Sequence, residues 1–190
     1  YPFENGTITL NNLHNLTELN TVNWRTILGV VPQEITIFGG NVITNILLGQ
    51  EDTLENITKF CQEYGFEDFI NSLPQSYATI LGEEGINLSG GQKQVIALMR
   101  ALYKKPKVLL LDEFTSAMDR KTEHFVLDLL NKVKPELTII FISHRLHSLP
   151  KIADFIYVLE NGKISDFGTH EKLMRSKNFY SEFWQDLMVV

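Results

Sequence analysis

At 190 residues, with 44% hydrophobic and 21% charged side chains, the chain has the length and composition of one ordinary globular domain. A formal net charge of -6 argues against a nucleic-acid footprint, which requires a basic stripe or patch. The single cysteine, Cys61, can form neither an internal disulfide nor a cysteine-based zinc site, which points to a reducing compartment and to a small buried hydrophobe.

The first residues, Tyr1 to Gly6, carry neither the charged nor the apolar segment of a signal peptide and no initiator Met, so a start inside a longer protein is expected. Gly6-Thr7-Ile8-Thr9-Leu10 alternates as a half-buried strand does. Ile27 to Val31 reads as an apolar strand that Pro32 stops, with Gln33 directly after it. A short helix is expected from Asn41 to Leu48. A second, capped by Asp52 or Thr53, runs to about Tyr64 with Leu54, Ile57, Phe60 and Cys61 at helical spacing, and a third covers Glu67 to Leu73. This stretch reads as a small helical lobe. Polar, glycine-punctuated residues from Pro74 to Gly85 predict a loop, and Ser89 caps the next helix. Val95, Ile96, Met99, Ala101 and Leu102 form its apolar face, and Lys104-Lys105-Pro106 closes it with cations at the negative end of the dipole.

Val108 to Leu111 and Ile139 to Ile142 are apolar without alternation, which predicts parallel strands buried on both faces. A helix from about Asp119 to Val133, apolar at Phe125, Val126, Leu129 and Leu130, separates them and supplies the right-handed crossover of a β-α-β unit. Asp112-Glu113 and Ser143-His144 then sit at the carboxyl ends of two parallel strands, the edge where open α/β sheets bind ligands. Phe155 to Leu159, Asn161-Gly162 and Lys163 to Phe167 read as a hairpin on an Asn-Gly turn, with two helices starting near Thr169 and Asn178. The longest apolar runs, such as Leu137 to Ile142, fall far short of the ~20 residues of a membrane span.

Two of these features carry chemistry. Leu88-Ser89-Gly90-Gly91-Gln92 opens a helix whose free N–H groups and positive dipole end suit an anion. Asp112-Glu113 at a strand end suits Mg2+ and an activated water. Together they point to ATP. An unpaired carboxylate ending a buried strand is costly unless it meets a cation or donors, which favours metal positioning for Asp112. Adjacent glycines cost about 1 kcal/mol each in a helix, so Gly90 and Gly91 need a reason such as close backbone approach. No G-x-x-x-x-G-K-S/T phosphate loop occurs in the 190 residues; the only Gly-Lys pair, Gly162-Lys163, is followed by Ile164.

In this order and spacing the motifs resemble the nucleotide-binding domain of ATP-binding cassette transporters over nearly the whole chain. Leu88 to Gln92 resembles the family signature, Val108 to Glu113 the Walker B strand, Thr115-Ser116-Ala117-Met118-Asp119 the D-loop, Gln33 the Q-loop glutamine and His144 the switch histidine. Gly82-Glu83-Glu84-Gly85 resembles the X-loop of exporters, and Ser143-His144-Arg145-Leu146 and Phe167 to Leu173 resemble exporter-type ends. The resemblance implies an α/β fold of the P-loop NTPase type: a mostly parallel sheet flanked by helices, with a helical signature lobe at about residues 41–104 of a single domain, 1–190, incomplete at its N-terminal side. It implies ATP and Mg2+ as cofactors, Glu113 as general base, His144 as a donor to the γ-phosphate, Asp112 and Gln33 toward the metal, and Gln33 also toward water. It places Ser89, Gly90, Gly91 and Gln92 on the ATP of a second nucleotide-binding domain in a head-to-tail dimer, with Asp119 and Ser116 shaping that interface. A transmembrane domain on the same full-length chain, at the cytoplasmic face of the cell membrane, would turn ATP hydrolysis into export of a peptide, lipid or other substrate, with no nucleic-acid partner. The alternatives are a non-catalytic subunit that offers only its signature face, and a soluble ATPase of the same family. Phe114 and Met118 depart from the family's usual alanine and leucine, while His14, His124, His147 and His170 fit no ligand spacing. The phosphate loop, its flanking strand and helix, and the aromatic residue that stacks on adenine would precede Tyr1-Pro2, so the chain alone is expected to be marginally stable and to turn over little ATP.

Overall fold

The computed structural model describes residues 6–82 and 85–188. Thr9–Leu10 (β1) and His14–Asn15 (β2) form a short antiparallel ladder around Asn11 and Asn12, both at positive φ, which asparagine tolerates. The strand expected over residues 6–10 is confined to its last two residues: Ile8 gives its carbonyl to Leu16 N and leaves its side chain exposed. Asn20 caps Thr21–Thr26 (α1), and Leu28–Val31 (β3) runs up to Pro32. Asn41, the second residue of Gly40–Asn41 (β4), caps Val42–Leu47 (α2). Thr53 caps Leu54–Tyr64 (α3), Gly65 ends it in the left-handed conformation, and Glu67–Asn71 (α4) follows. The buried face of α3 is Ile57, Phe60 and Cys61, while Leu54, expected with them, is exposed.

Within the stretch expected to be loop, Ile80–Leu81 (β5) pairs with β4. The two glutamates of the X-loop resemblance, Glu83 and Glu84, lie outside the described residues, as does Tyr1-Pro2. Gly90–Tyr103 (α5) follows Ser89, and Val108–Asp112 (β6) leads through Arg120–Val133 (α6) to Thr138–Ile142 (β7). Leu149–Ile152 (α7) precedes the hairpin of Ile156–Glu160 (β8) and Lys163–Gly168 (β9), which turns through Asn161 and Gly162, both at positive φ as a two-residue type I′ loop requires. Thr169 caps His170–Met174 (α8), and Phe179–Met188 (α9) ends the described chain.

The sheet that positions the site has the order β3-β6-β7, all parallel, with α6 as the crossover between its last two strands. One face carries Val31, Leu109 and Leu111, which share a core with Val95, Ile96, Met99 and Leu102 of α5 and Val126, Leu129 and Leu130 of α6; Ile139 and Phe141 pack against it. At Gly29 a β-carbon would meet Leu109 and Pro106 at 3.0 Å and the Ala101 carbonyl at 3.2 Å, so only glycine lets the end of α5 lie this close to β3. The other face is open. Val30, Ile140 and Ile142 are 51%, 51% and 58% exposed, and the register aligns Val30 with Leu110 and Leu110 with Ile140 in one apolar row. The expectation of strands buried on both faces is corrected here. An unbroken apolar run records that both faces are apolar, whereas the described helices cover one of them. Phe114 and Met118, the two departures beside the D-loop, are buried in the main core.

Candidate functional site

At the carboxyl edge the sheet brings three of the expected residues into contact. Pro32 ends β3 and sets Gln33 just beyond it, while β6 ends at Asp112 and β7 hands the chain to Ser143-His144. Glu113 takes φ 45°, a left-handed conformation unusual for a residue with a side chain, and its N–H donates to the Ile142 carbonyl at 2.9 Å. Its carboxylate is held from two sides. Gln33 Nε2 donates to Glu113 Oε2 at 3.1 Å, and His144 Nδ1 lies 3.2 Å from Glu113 Oε1. Because a carboxylate only accepts, the proton of a neutral His144 belongs on Nδ1, which leaves Nε2 directed elsewhere. The His144 side chain is 63% exposed and that of Glu113 30%, so the clamp opens to solvent.

Asp112 is exposed at the end of β6. Among the described residues no three His, Cys, Asp or Glu side chains gather as a metal cage. Beside the clamped Glu113, this edge carries the Asp112 carboxylate and the Gln33 amide, whose nitrogen is bound to Glu113 and whose oxygen is its other polar atom. Such a sparse set fits Mg2+, which binds through one or two protein oxygens and keeps its other positions for phosphate and water.

The remaining expected residues form a second group. Ser89 Oγ accepts from Gln92 N at 3.2 Å and Gln92 Oε1 accepts from Ser89 N at 2.9 Å, a reciprocal box that fixes the start of α5. The Gly90 and Gly91 amides, in the first turn, have no intrahelical acceptor. A β-carbon at Gly90 would meet the Ala117 β-carbon at 2.6 Å, and one at Gly91 the Ala117 carbonyl at 3.2 Å. The close approach that glycine permits is therefore already made within the chain, to the 115–119 loop. Asp119 caps α6, and hydrogen bonds from the Thr122 backbone and hydroxyl hold its carboxyl below the ordinary range.

Sequence reasoning missed Arg145, Glu123 and Gln94. Arg145 Nη2 donates to the Ser116 carbonyl at 2.6 Å, and Nη1 lies 3.8 Å from buried Glu123. His147 also faces Glu123, at 3.3 Å, while His124 pairs with Asp128 on the surface and His170 meets the Tyr180 hydroxyl. An arginine directly after a strand-end histidine is the one signal the sequence offered for this cluster.

Residues 1–116 match the protein family described as ABC transporter. The chain is 42% identical over 182 residues to ATP-binding cassette sub-family B member 10, mitochondrial, of Mus musculus, covering 94% of this chain and 25% of that protein. It is 43% identical over 171 residues to ABC multidrug transporter mdr1 of Aspergillus fumigatus, covering 88% of this chain and 13% of that one. The chain thus spans a quarter or less of these relatives. A solved structure described as a bacterial Atm1-family ABC exporter with ATP bound superposes with a TM-score of 0.89 at 34% identity, covering 99% of this chain and 33% of that one. With the parallel sheet, the motifs at its carboxyl edge and these likenesses in agreement, the chain belongs to the ABC transporter family, as a nucleotide-binding domain of the exporter type.

Proposed function

We propose that the chain is the larger part of the ATP-binding and ATP-hydrolysing domain of an exporter, acting at the cytoplasmic face of the cell membrane beneath a transmembrane domain. The observation that carries the reading is the clamped carboxylate: Glu113, at a strained φ, lies between a strand-end glutamine and a strand-end histidine. Hydrolysis needs an acceptor for the proton of the attacking water, and Glu113 is that acceptor. The water oxygen bonds to the γ-phosphorus, the bond to the bridging oxygen breaks, and ADP leaves. As an imidazolium, with both ring nitrogens protonated, His144 donates from Nδ1 to Glu113 and from Nε2 to a γ-phosphate oxygen. Gln33 ties the end of β3 to the same base and orients the water. Asp112 and the Gln33 amide oxygen would hold Mg2+, which would neutralise charge on the phosphates.

The other group serves a second nucleotide. The capping box of Ser89 and Gln92 leaves the first-turn amides of Gly90 and Gly91 free, which suits the phosphates of an ATP carried by a second copy in a head-to-tail pair, and Asp119 borders that interface. The phosphate loop that completes each site lies outside the 190 residues. The open face, with the row of Val30, Leu110 and Ile140 and with Ile142 beyond it, is the kind of surface that a further chain segment covers. The test is a version of the chain extended at its N-terminal side by a G-x-x-x-x-G-K-S/T strand, loop and helix. Glu113→Gln in that protein abolishes ATP turnover and keeps ATP binding; undiminished hydrolysis removes Glu113 as the base.

A further inference from the structure

We infer that Ser116 is a positioning residue that couples the start of α5 to the segment carrying His144, with Gln94 and Arg145 as its two arms. Gln94 is 3% exposed, and its Nε2 donates to Ser116 Oγ at 3.4 Å. Its other amide atom, Oε1, is buried without a partner among the described residues, so this contact is what orients the side chain. On the opposite side of Ser116, the carbonyl accepts from Arg145 Nη2 at 2.6 Å. Arg145 is itself fixed at both ends of its backbone: its N–H donates to Ser143 Oγ at 2.9 Å and its carbonyl accepts from Ser148 Oγ at 2.8 Å. Because His144 lies between Ser143 and Arg145, it moves with them.

The coupling follows from what each group loses by letting go. The buried Glu123 carboxylate draws the half-buried Arg145 guanidinium toward it, and the Ser116 carbonyl is the shortest of the Arg145 contacts. Gln94 sits one turn beyond Gly90 and Gly91 on the same helix, so α5 touches the 115–119 loop at two levels. A shift or rotation of the start of α5 therefore displaces Ser116, and Arg145 carries the displacement to His144. Resting on the proposed function, this relay joins the two half-sites of one protomer: the free amides of Gly90 and Gly91, aimed at a partner's ATP, and His144, aimed at its own.

The relay is read without nucleotide, by amide hydrogen exchange on the chain extended at its N-terminal side by the phosphate-loop segment, so its failure leaves the ATPase reading untouched. Gln94→Ala and Ser116→Ala raise exchange across residues 143–148 by about tenfold, although neither changes a residue of that segment. Ser116→Thr, which keeps the hydroxyl, leaves that segment as protected as in the parent. Unchanged protection of residues 54–64 shows that the core remains folded. Should Gln94→Ala fail to fold, the Ser116→Ala and Ser116→Thr pair decides by itself. Exchange that rises only in α5 and residues 114–119, or that rises equally in Ser116→Thr, overturns the relay.

Discussion

Substituting Gly90 by alanine puts a methyl group 2.6 Å from the methyl of Ala117, well inside the ~3.5–4.0 Å at which carbon atoms attract. Overpacking of this kind costs about 1–3 kcal/mol. Replacing glycine by alanine in a helix returns at most about 1 kcal/mol. With that full gain subtracted the net loss is about 0–2 kcal/mol, and at ~2–4 °C per kcal/mol for a domain of this size the Tm falls by up to about 8 °C. Geometry also predicts the rescue. The next nearest atoms to the new methyl are the Ala117 carbonyl oxygen at 3.9 Å and Cα at 4.0 Å, both ordinary contacts. In an Ala117→Gly background, itself destabilised by about 0.4–1 kcal/mol through chain entropy, Gly90→Ala becomes neutral or slightly stabilising. Thermal unfolding of the parent, both single variants and the double variant closes the cycle with a coupling energy of about 1–3 kcal/mol. Additivity within about 0.5 kcal/mol refutes the claim that the Ala117 methyl is what demands glycine at the start of α5.

Phe114→Ala removes a fully buried ring from the main core directly after Glu113 and costs about 3–5 kcal/mol, which lowers Tm by about 6–20 °C. A drop below ~3 °C in a thermal melt shows instead that the surroundings close over the smaller residue. At the far end of α5, the Tyr103 hydroxyl donates to Asp52 Oδ2 at 2.5 Å and, with Asn56 and Thr53, holds the Asp52 carboxyl below its usual 3.8. Its contribution to stability is present above the unfolded-state value and is lost as pH falls through the lower folded value. Burial, followed by the bond to Asp52, pushes Tyr103 up to about 12. Tyr103→Phe removes the largest cause of the Asp52 shift, so melting temperatures fall less steeply with acidification below 3.8; an unchanged acid slope rules out this bond as the cause.

What the sequence made legible was local. Asn41, Thr53, Ser89 and Asp119 announced helix starts because capping is settled within three residues, and Asn161-Gly162 announced its hairpin because both positions need positive φ. The adjacency of β6 and β7 followed from their short α6 crossover, and it brought Glu113 and His144 together. The contacts that shape the site span the chain and leave no period to read. Gln33 meets Glu113 across 80 residues, Arg145 meets Ser116 across 29, and Gln94 meets Ser116 across 22. The glycines of α5 showed that something approaches closely, and only the fold shows that the nearest object is the Ala117 methyl. The open face of the sheet was misread for a related reason: the composition of Ile139 to Ile142 reports how apolar a strand is, while burial depends on what lies against it.

The central claim, that each ATP site joins Glu113 of one protomer to Ser89 and Gly91 of another, is tested most directly by mixing two inactive proteins. Both are the chain extended by a phosphate-loop segment, one carrying Glu113→Gln and the other Gly91→Asp at the signature helix. Each alone turns over no ATP. In a mixed dimer one site combines an intact Glu113 with an intact signature face, so an equimolar mixture recovers about a quarter of the parent's specific activity. A mixture as inactive as its components contradicts the head-to-tail arrangement and places the whole site within one chain.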